Sequence, residues 1–145
     1  MFNNCSALEN LYVETKESVE NNSGPVPGLP SKLTSIGDKA FTDCSSLNMS
    51  AQENETLVLP STLKTLGNGV FKHCCELKHI DMSATQISKI DSITFLDCAS
   101  LEELICPSKL KTIGDEAFLN CVSLKMIVFN EGLTSIGTLA FANLT

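Results

Sequence analysis

The sequence predicts a single α/β repeat solenoid of short parallel strands and short helical turns, with a period of roughly 23 residues. Three observations carry this. Six of the seven phenylalanines, Phe2, Phe41, Phe71, Phe95, Phe118 and Phe141, follow one another at intervals of 39, 30, 24, 23 and 23 residues. A cysteine stands three positions after each of the first five (Cys5, Cys44, Cys74, Cys98, Cys121), and Leu144 takes that place in the last. A leucine stands six positions after each of the same five (Leu8, Leu47, Leu77, Leu101, Leu124), and the pairs Leu33/Ile36, Leu63/Leu66, Ile87/Ile90, Leu110/Ile113 and Leu133/Ile136 keep the same step. A fixed period in this range means stacked units, none of which can bury its apolar face alone.

One coil, residues 101–118, justifies its elements in order. Along LEELIC the pattern alternates, with Leu104 and Cys106 pointing inward and Glu103 and Ile105 outward, as in a short strand. The Cys106 slot is shared by Val13, Leu59, Met82 and Phe129, so these too are expected inside. Pro107 lacks an N–H, ends the ladder and turns the chain with Ser108. Leu110 and Ile113 anchor a second short extended piece, and Gly114 gives the next turn. Asp115 and Glu116 then open an expected helical turn whose Ala117 and Phe118 face inward.

The two long intervals locate insertions. Sixteen extra residues fall around 14–29, a polar, acidic, Pro- and Gly-bearing segment expected to be a surface loop, and seven fall near 48–54. The core frame resumes on either side of each. The domain therefore runs over residues 1–145 as about five to six coils, opening and closing inside a repeat with no polar capping unit. A piece of a longer array, or self-association through the uncapped ends, is the expectation from that.

The segment Leu110-Lys111-Thr112-Ile113-Gly114-Asp115-Glu116-Ala117-Phe118-Leu119-Asn120-Cys121-Val122-Ser123-Leu124 resembles the repeat of the BspA-like (Treponema pallidum type) leucine-rich repeat proteins. The likeness recurs at 33–47 and, more weakly, at 63–77, and covers nearly the whole chain outside the insertions. Asp91 for the usual Gly, Ile93-Thr94 before Phe95 and Val70 before Phe71 depart from it, which bears on local turn geometry. The resemblance implies a leucine-rich repeat right-handed superhelix. It also implies a non-catalytic module on a cell surface or secreted, mediating adhesion to a host or cell-surface protein.

Composition narrows the chemistry independently. With 43% apolar and 19% charged residues, 145 residues suffice for one core. Ten Lys plus Arg against seventeen Asp plus Glu give −7, which opposes phosphate backbones and acidic lipid, so no nucleic acid is expected as a partner. The uncharged tail 132–145 is too short and too polar to span a bilayer, so no membrane insertion is expected either, and residues 1–9 hold no secretory signal.

The ladder cysteines are expected to be small core residues, because neighbours about 4.8 Å apart exceed ordinary disulfide Cβ spacing. Cys75, just outside the frame, is the one candidate for an exposed thiol. His73, Cys74, Cys75 and His79 have no common zinc spacing, and the frame sends Cys74 inward. Consecutive acids such as Glu102/Glu103 diverge, and no nucleophile–base set or phosphate loop is present, so no enzyme, metal or cofactor is expected.

Alternation leaves Asn10, Tyr12, Thr56, Val58, His79, Asp81, Glu103, Ile105, Met126 and Val128 pointing outward. Tyr12, Val58, His79, Asp81, Glu103, Ile105, Met126 and Val128 are the expected partner-binding residues: an apolar stripe interleaved with polar groups, though β-propensity alone also favours Val, Ile and Tyr there. A spacer holding another domain, or an intracellular scaffold compatible with free thiols, are the competing readings. The five Asn-x-Ser/Thr sequons at Asn4, Asn21, Asn48, Asn54 and Asn143 matter only on a eukaryotic secretory route.

Overall fold

The computed structural model describes residues 5–8, 11–13, 26–51 and 53–144. Four strands, β4 (Thr56–Val58), β6 (His79–Asp81), β8 (Glu103–Ile105) and β10 (Met126–Val128), form one parallel sheet in the spatial order β4-β6-β8-β10. Its register is that of the repeat: Leu57 faces Ile80, Ile80 faces Leu104, and Leu104 faces Ile127. A second parallel row comes from the Leu-x-x-Ile pieces, with β3 (Ser35–Ile36) beside β5 (Thr65–Leu66), and β7 (Lys89–Ile90), β9 (Thr112–Ile113) and β11 (Ser135–Ile136) in sequence.

Between the rows lies a core of aligned columns. The rings of Phe41, Phe71, Phe95, Phe118 and Phe141 stack with centroids 5.5, 5.6, 5.1 and 5.1 Å apart and planes within 12° of parallel. Phe2 lies outside the described residues. The leucine column is fully buried at Leu47, Leu77 and Leu101, and Cys44, Cys74, Cys98 and Cys121 are fully buried beside it. Three of these thiols have their acceptor one coil back: Sγ–H of Cys74, Cys98 and Cys121 donates to the carbonyl of Phe41, Phe71 and Phe95, respectively, at 3.1–3.2 Å. Cys74, Cys75, Cys98, Cys106 and Cys121 form no disulfide.

The 24-residue interval has a visible cause. Met82 to Ile87 is one residue longer than Leu59 to Leu63 or Cys106 to Leu110. The extra length turns over Thr85, whose buried hydroxyl donates to the Met82 carbonyl at 2.8 Å. A polar side chain is thereby taken inside without orphaning its donor.

The expected helical turns are not formed. Around each Phe the backbone makes four-residue turns instead, such as Ala40 N–H to Gly37 C=O and Cys44 N–H to Phe41 C=O. Alternate N–H groups leave the coil: those of Lys39, Phe41 and Asp43 donate to Asn68, Val70 and Lys72 on the next coil, and Ile93, Phe95 and Asp97 repeat this onto Asp115, Ala117 and Leu119. Donors spent on the neighbouring coil cannot close i→i−4 bonds, so no helix propagates. The residues that donate outward two positions on either side of Phe take positive φ: Lys39, Gly69, Ile93 and Glu116 before it, and Asp43, His73, Asp97 and Asn120 after it; Leu139 and Asn143, in the equivalent places around Phe141, share that φ. Glu116 is therefore a left-handed turn residue and not the start of a helix.

Two further expectations are corrected. Phe129 is not inside but 43% exposed, resting edge-on against Phe141 with centroids 6.1 Å apart. Leu59, Met82 and Cys106 in the same slot are each buried under a following coil, and among the described residues none follows over Phe129. Part of the first insertion is also not loop: Val26–Pro27 forms β2, antiparallel to β1 (Tyr12–Val13), with Tyr12 opposite Pro27. Residues 14–25 of that insertion, and Asn4, Asn10 and Asn21, lie outside the described residues.

Candidate functional site

The face of the four-stranded sheet presents two columns. Register places Thr56, His79, Glu103 and Met126 side by side in one, and Val58, Asp81, Ile105 and Val128 in the other. Between them run the buried side chains of Leu57, Ile80 and Leu104, with partly buried Ile127. The pleat therefore brings seven of the eight residues expected from sequence together on one surface. Tyr12 is the exception: β1 pairs with β2, not β4, so this residue is not part of the four-stranded sheet.

Val58, Met126 and Val128 are half exposed, at 50%, 46% and 44%, and Ile105 is partly exposed. Between these apolar groups the sheet is recessed, forming a concavity of about 430 Å³ lined by Asn54, Thr56, His79, Asp81, Glu103 and Ile105. Its polar groups are oriented. His79 Nδ1 lies 2.7 Å from the Asn54 carbonyl, which can only accept, so Nδ1 carries the hydrogen and Nε2 is the acceptor of the neutral ring. One Asp81 oxygen accepts the Ser83 N–H at 2.8 Å.

Charge just outside the recess is already neutralised. Position −1 of the strands forms an alternating column, Glu55, Lys78, Glu102 and Lys125, in which Lys78 Nζ meets Glu55 and Lys125 Nζ meets Glu102 at 2.7 Å. The Glu55 carboxylate raises the Lys78 ammonium above its ordinary value, and Lys125 holds the Glu102 carboxyl below its own. Among the described residues no lysine is paired with Asp81 or Glu103, so both carboxylates on the face remain uncompensated.

The contribution of Asn54 was not foreseen. It belongs to the second insertion, ends it with a left-handed φ of 55°, and so turns its carbonyl toward His79. A second polar feature also escapes the apolar periodicity. Two residues after each Phe, Asp43, His73, Asp97, Asn120 and Asn143 form a continuous column: His73 Nδ1 lies 2.6 Å from Asp43, His73 Nε2 3.0 Å from Asp97, Asn120 Nδ2 donates to Asp97 at 2.7 Å, and Asn143 Nδ2 donates to Asn120 at 2.8 Å. His73 and His79 sit in different parts of each coil, one in this column and one on the sheet.

Burial makes most thiols chemically quiet. Desolvation pushes Cys106 and Cys121 up to about 12 and also raises Cys74 and Cys98 well above the ordinary thiol value. Cys75 is partly exposed, but burial and the nearby Asp97, Asp43 and Glu76 carboxylates raise it too, and its Sγ–H faces the His73 and Asp97 carbonyls. Among the described residues no helix is long and apolar enough to cross a membrane.

The profile of the family described as BspA type Leucine rich repeat region matches residues 27–145 in six copies. The fold is similar to that of a leucine-rich repeat protein of T. pallidum, at 26% identity and a TM-score of 0.69 over 94% of this chain. It is similar to a leucine-rich repeat protein from Bacteroides ovatus at 27% identity and a TM-score of 0.68, again over 94% of this chain. A leucine rich cell surface protein from Faecalibacterium prausnitzii shares the fold at 22% identity and a TM-score of 0.61 over 89% of this chain. The chain spans 66%, 39% and 38% of those three proteins, respectively. A comparison with curated proteins gives no match.

Proposed function

The chain belongs to the BspA-type leucine-rich repeat family, and from that premise we propose that it is a non-catalytic protein-binding module of a cell-surface protein, used for adhesion to a host or neighbouring cell. Its partner lies across the sheet face, on Val58, His79, Asp81, Glu103, Ile105, Met126 and Val128. The observation that carries this reading is the concurrence on one rigid face of half-exposed Val58, Met126 and Val128 with an acceptor-lined recess. Apolar anchors beside oriented polar groups are what a recognition surface needs. The description of the Faecalibacterium relative as a cell surface protein supports the location.

The test is solid-phase binding to intact cells and to immobilised extracellular-matrix proteins, comparing wild type with Ile105→Asp/Met126→Asp. Two carboxylates on the apolar stripe are expected to weaken binding at least about tenfold, with an unchanged circular dichroism spectrum. Equal binding by the folded double variant removes this face from the account. No binding by the wild type to any surface favours the spacer reading.

A further inference from the structure

The recess on the sheet is lined by Asn54, Thr56, His79, Asp81 and Glu103 beside Ile80 and Ile105, and the two carboxylates give it charge of one sign. Three acceptors line it: the Asp81 carboxylate, the Glu103 carboxylate and the free Nε2 of His79. His79 and Glu103 are register partners on adjacent strands, about 4.8 Å apart, and Asp81 follows His79 by two residues on the same face, about 6.7 Å along the strand. Asp81 and Glu103, on the diagonal, are about 8 Å apart at the backbone, and the side chains of all three line the same concavity. The lysines that could neutralise them are engaged one position away with Glu55 and Glu102. The recess is flanked by Val58 on one side of Asp81 and by Ile105 and Val128 on the other, in the same column.

We propose that this recess receives an arginine side chain of the bound partner, projected from a segment whose neighbouring apolar residues lie on Val58, Ile105 and Val128. Five N–H donors in a fixed plane match several separated acceptors, and the weakly hydrated guanidinium sheds water more readily than a compact ammonium. The alternating Glu55–Lys78–Glu102–Lys125 column then serves specificity. It fixes the charge beside the recess, so an acidic partner segment meets uncompensated like charge at Asp81 and Glu103. The inference rests on the sheet-face reading of the preceding section and specifies its partner's chemistry.

The experiment is a titration of the isotope-labelled protein with ethylguanidinium, followed by amide and side-chain NMR, with ethylammonium and sodium chloride at matched ionic strength as comparisons. Shifts concentrated on residues 79–81 and 103–105, with ethylguanidinium about threefold tighter than ethylammonium or better, support the proposal. Asp81→Asn/Glu103→Gln, which keeps shape but removes both charges and replaces one acceptor oxygen of each group by an NH2 donor, is expected to reduce that affinity roughly tenfold or more. Equal responses to the two cations, shifts spread over the surface, or shifts that survive in the double variant overturn it. Failure here with loss of cell binding by Ile105→Asp/Met126→Asp overturns only the arginine assignment. Cell binding that survives Ile105→Asp/Met126→Asp overturns the sheet-face reading itself.

Discussion

The ring of Phe95 lies flat on that of Phe118, with centroids 5.1 Å apart and planes 12° from parallel. This separation is close to the roughly 4.8 Å rung of a parallel sheet, so the aromatic column and the backbone ladders share one spacing and reinforce each other. Phe95 is fully buried between two parallel rings, whereas Phe141 is only partly buried, with one parallel neighbour. Phe95→Ala is expected to cost about 3–5 kcal/mol and Phe141→Ala roughly 1–3 kcal/mol, measured by urea unfolding. Equal losses would count against a layered core.

Buried thiols set the alkaline limit of stability. The folded state holds Cys106 and Cys121 protonated up to about 12, and Cys74 and Cys98 beyond their ordinary value of 9.0 as well. Unfolding exposes all four, so above about pH 9 the unfolded chain binds fewer protons than the folded one and is favoured as pH rises. Stability is complete below pH 9 and falls through pH 12, each thiol contributing up to about 1.4 kcal/mol per pH unit. Cys121→Ala is expected to flatten the pH dependence of urea midpoints. A slope unchanged by that substitution would contradict the assignment.

Close approach of coils depends on Gly114. A Cβ there would meet the Ser92 nitrogen at 2.5 Å and the Asp91 carbonyl carbon at 2.8 Å, both backbone, whereas a Cβ on Gly37 in the equivalent place meets nothing within 4 Å among the described residues. Gly114→Ala is expected to destabilise by roughly 1–3 kcal/mol and Gly37→Ala to be nearly neutral, read as thermal midpoints. Tolerance at both positions would mean the coils stand further apart than described.

The polar column is tested at Asn120, which donates to Asp97 and accepts from Asn143. Asn120→Asp keeps a residue tolerant of the left-handed φ of 62° but sets two carboxylates against each other. A loss of roughly 1 kcal/mol that shrinks as salt is raised is expected. A salt-independent loss would assign the effect to backbone strain.

The repeat, the buried Phe, Leu and Cys columns and the outward strand positions were legible because one period constrains every apolar position at once. The turn was not. In 110–124 the order Asp-Glu-Ala-Phe reads as a helix start, and what defeats it is a contact with another coil, the donation of alternate N–H groups sideways, which no local pattern records. A signal did exist after Phe, where Asp43, His73, Asp97, Asn120 and Asn143 are all types that tolerate left-handed φ. Before Phe it was absent: Ile93 at φ 52° is β-branched and disfavoured there, held by its N–H bond to the Asp115 carbonyl and by the next coil. On the sheet, alternation put Val58, His79, Asp81, Glu103, Ile105, Met126 and Val128 on one face, where the register places them. It misplaced Tyr12, because pairing of β1 with β2 is decided by a chain return across an insertion of no fixed pattern.

The central claim, a one-dimensional stack with its phenylalanines in register, is tested most directly by nuclear Overhauser contacts among selectively labelled Phe rings. Contacts between Phe71 and Phe95 and between Phe95 and Phe118, with none between Phe71 and Phe118, are predicted. A direct Phe71–Phe118 contact, or none between Phe95 and either neighbour, would contradict the stack.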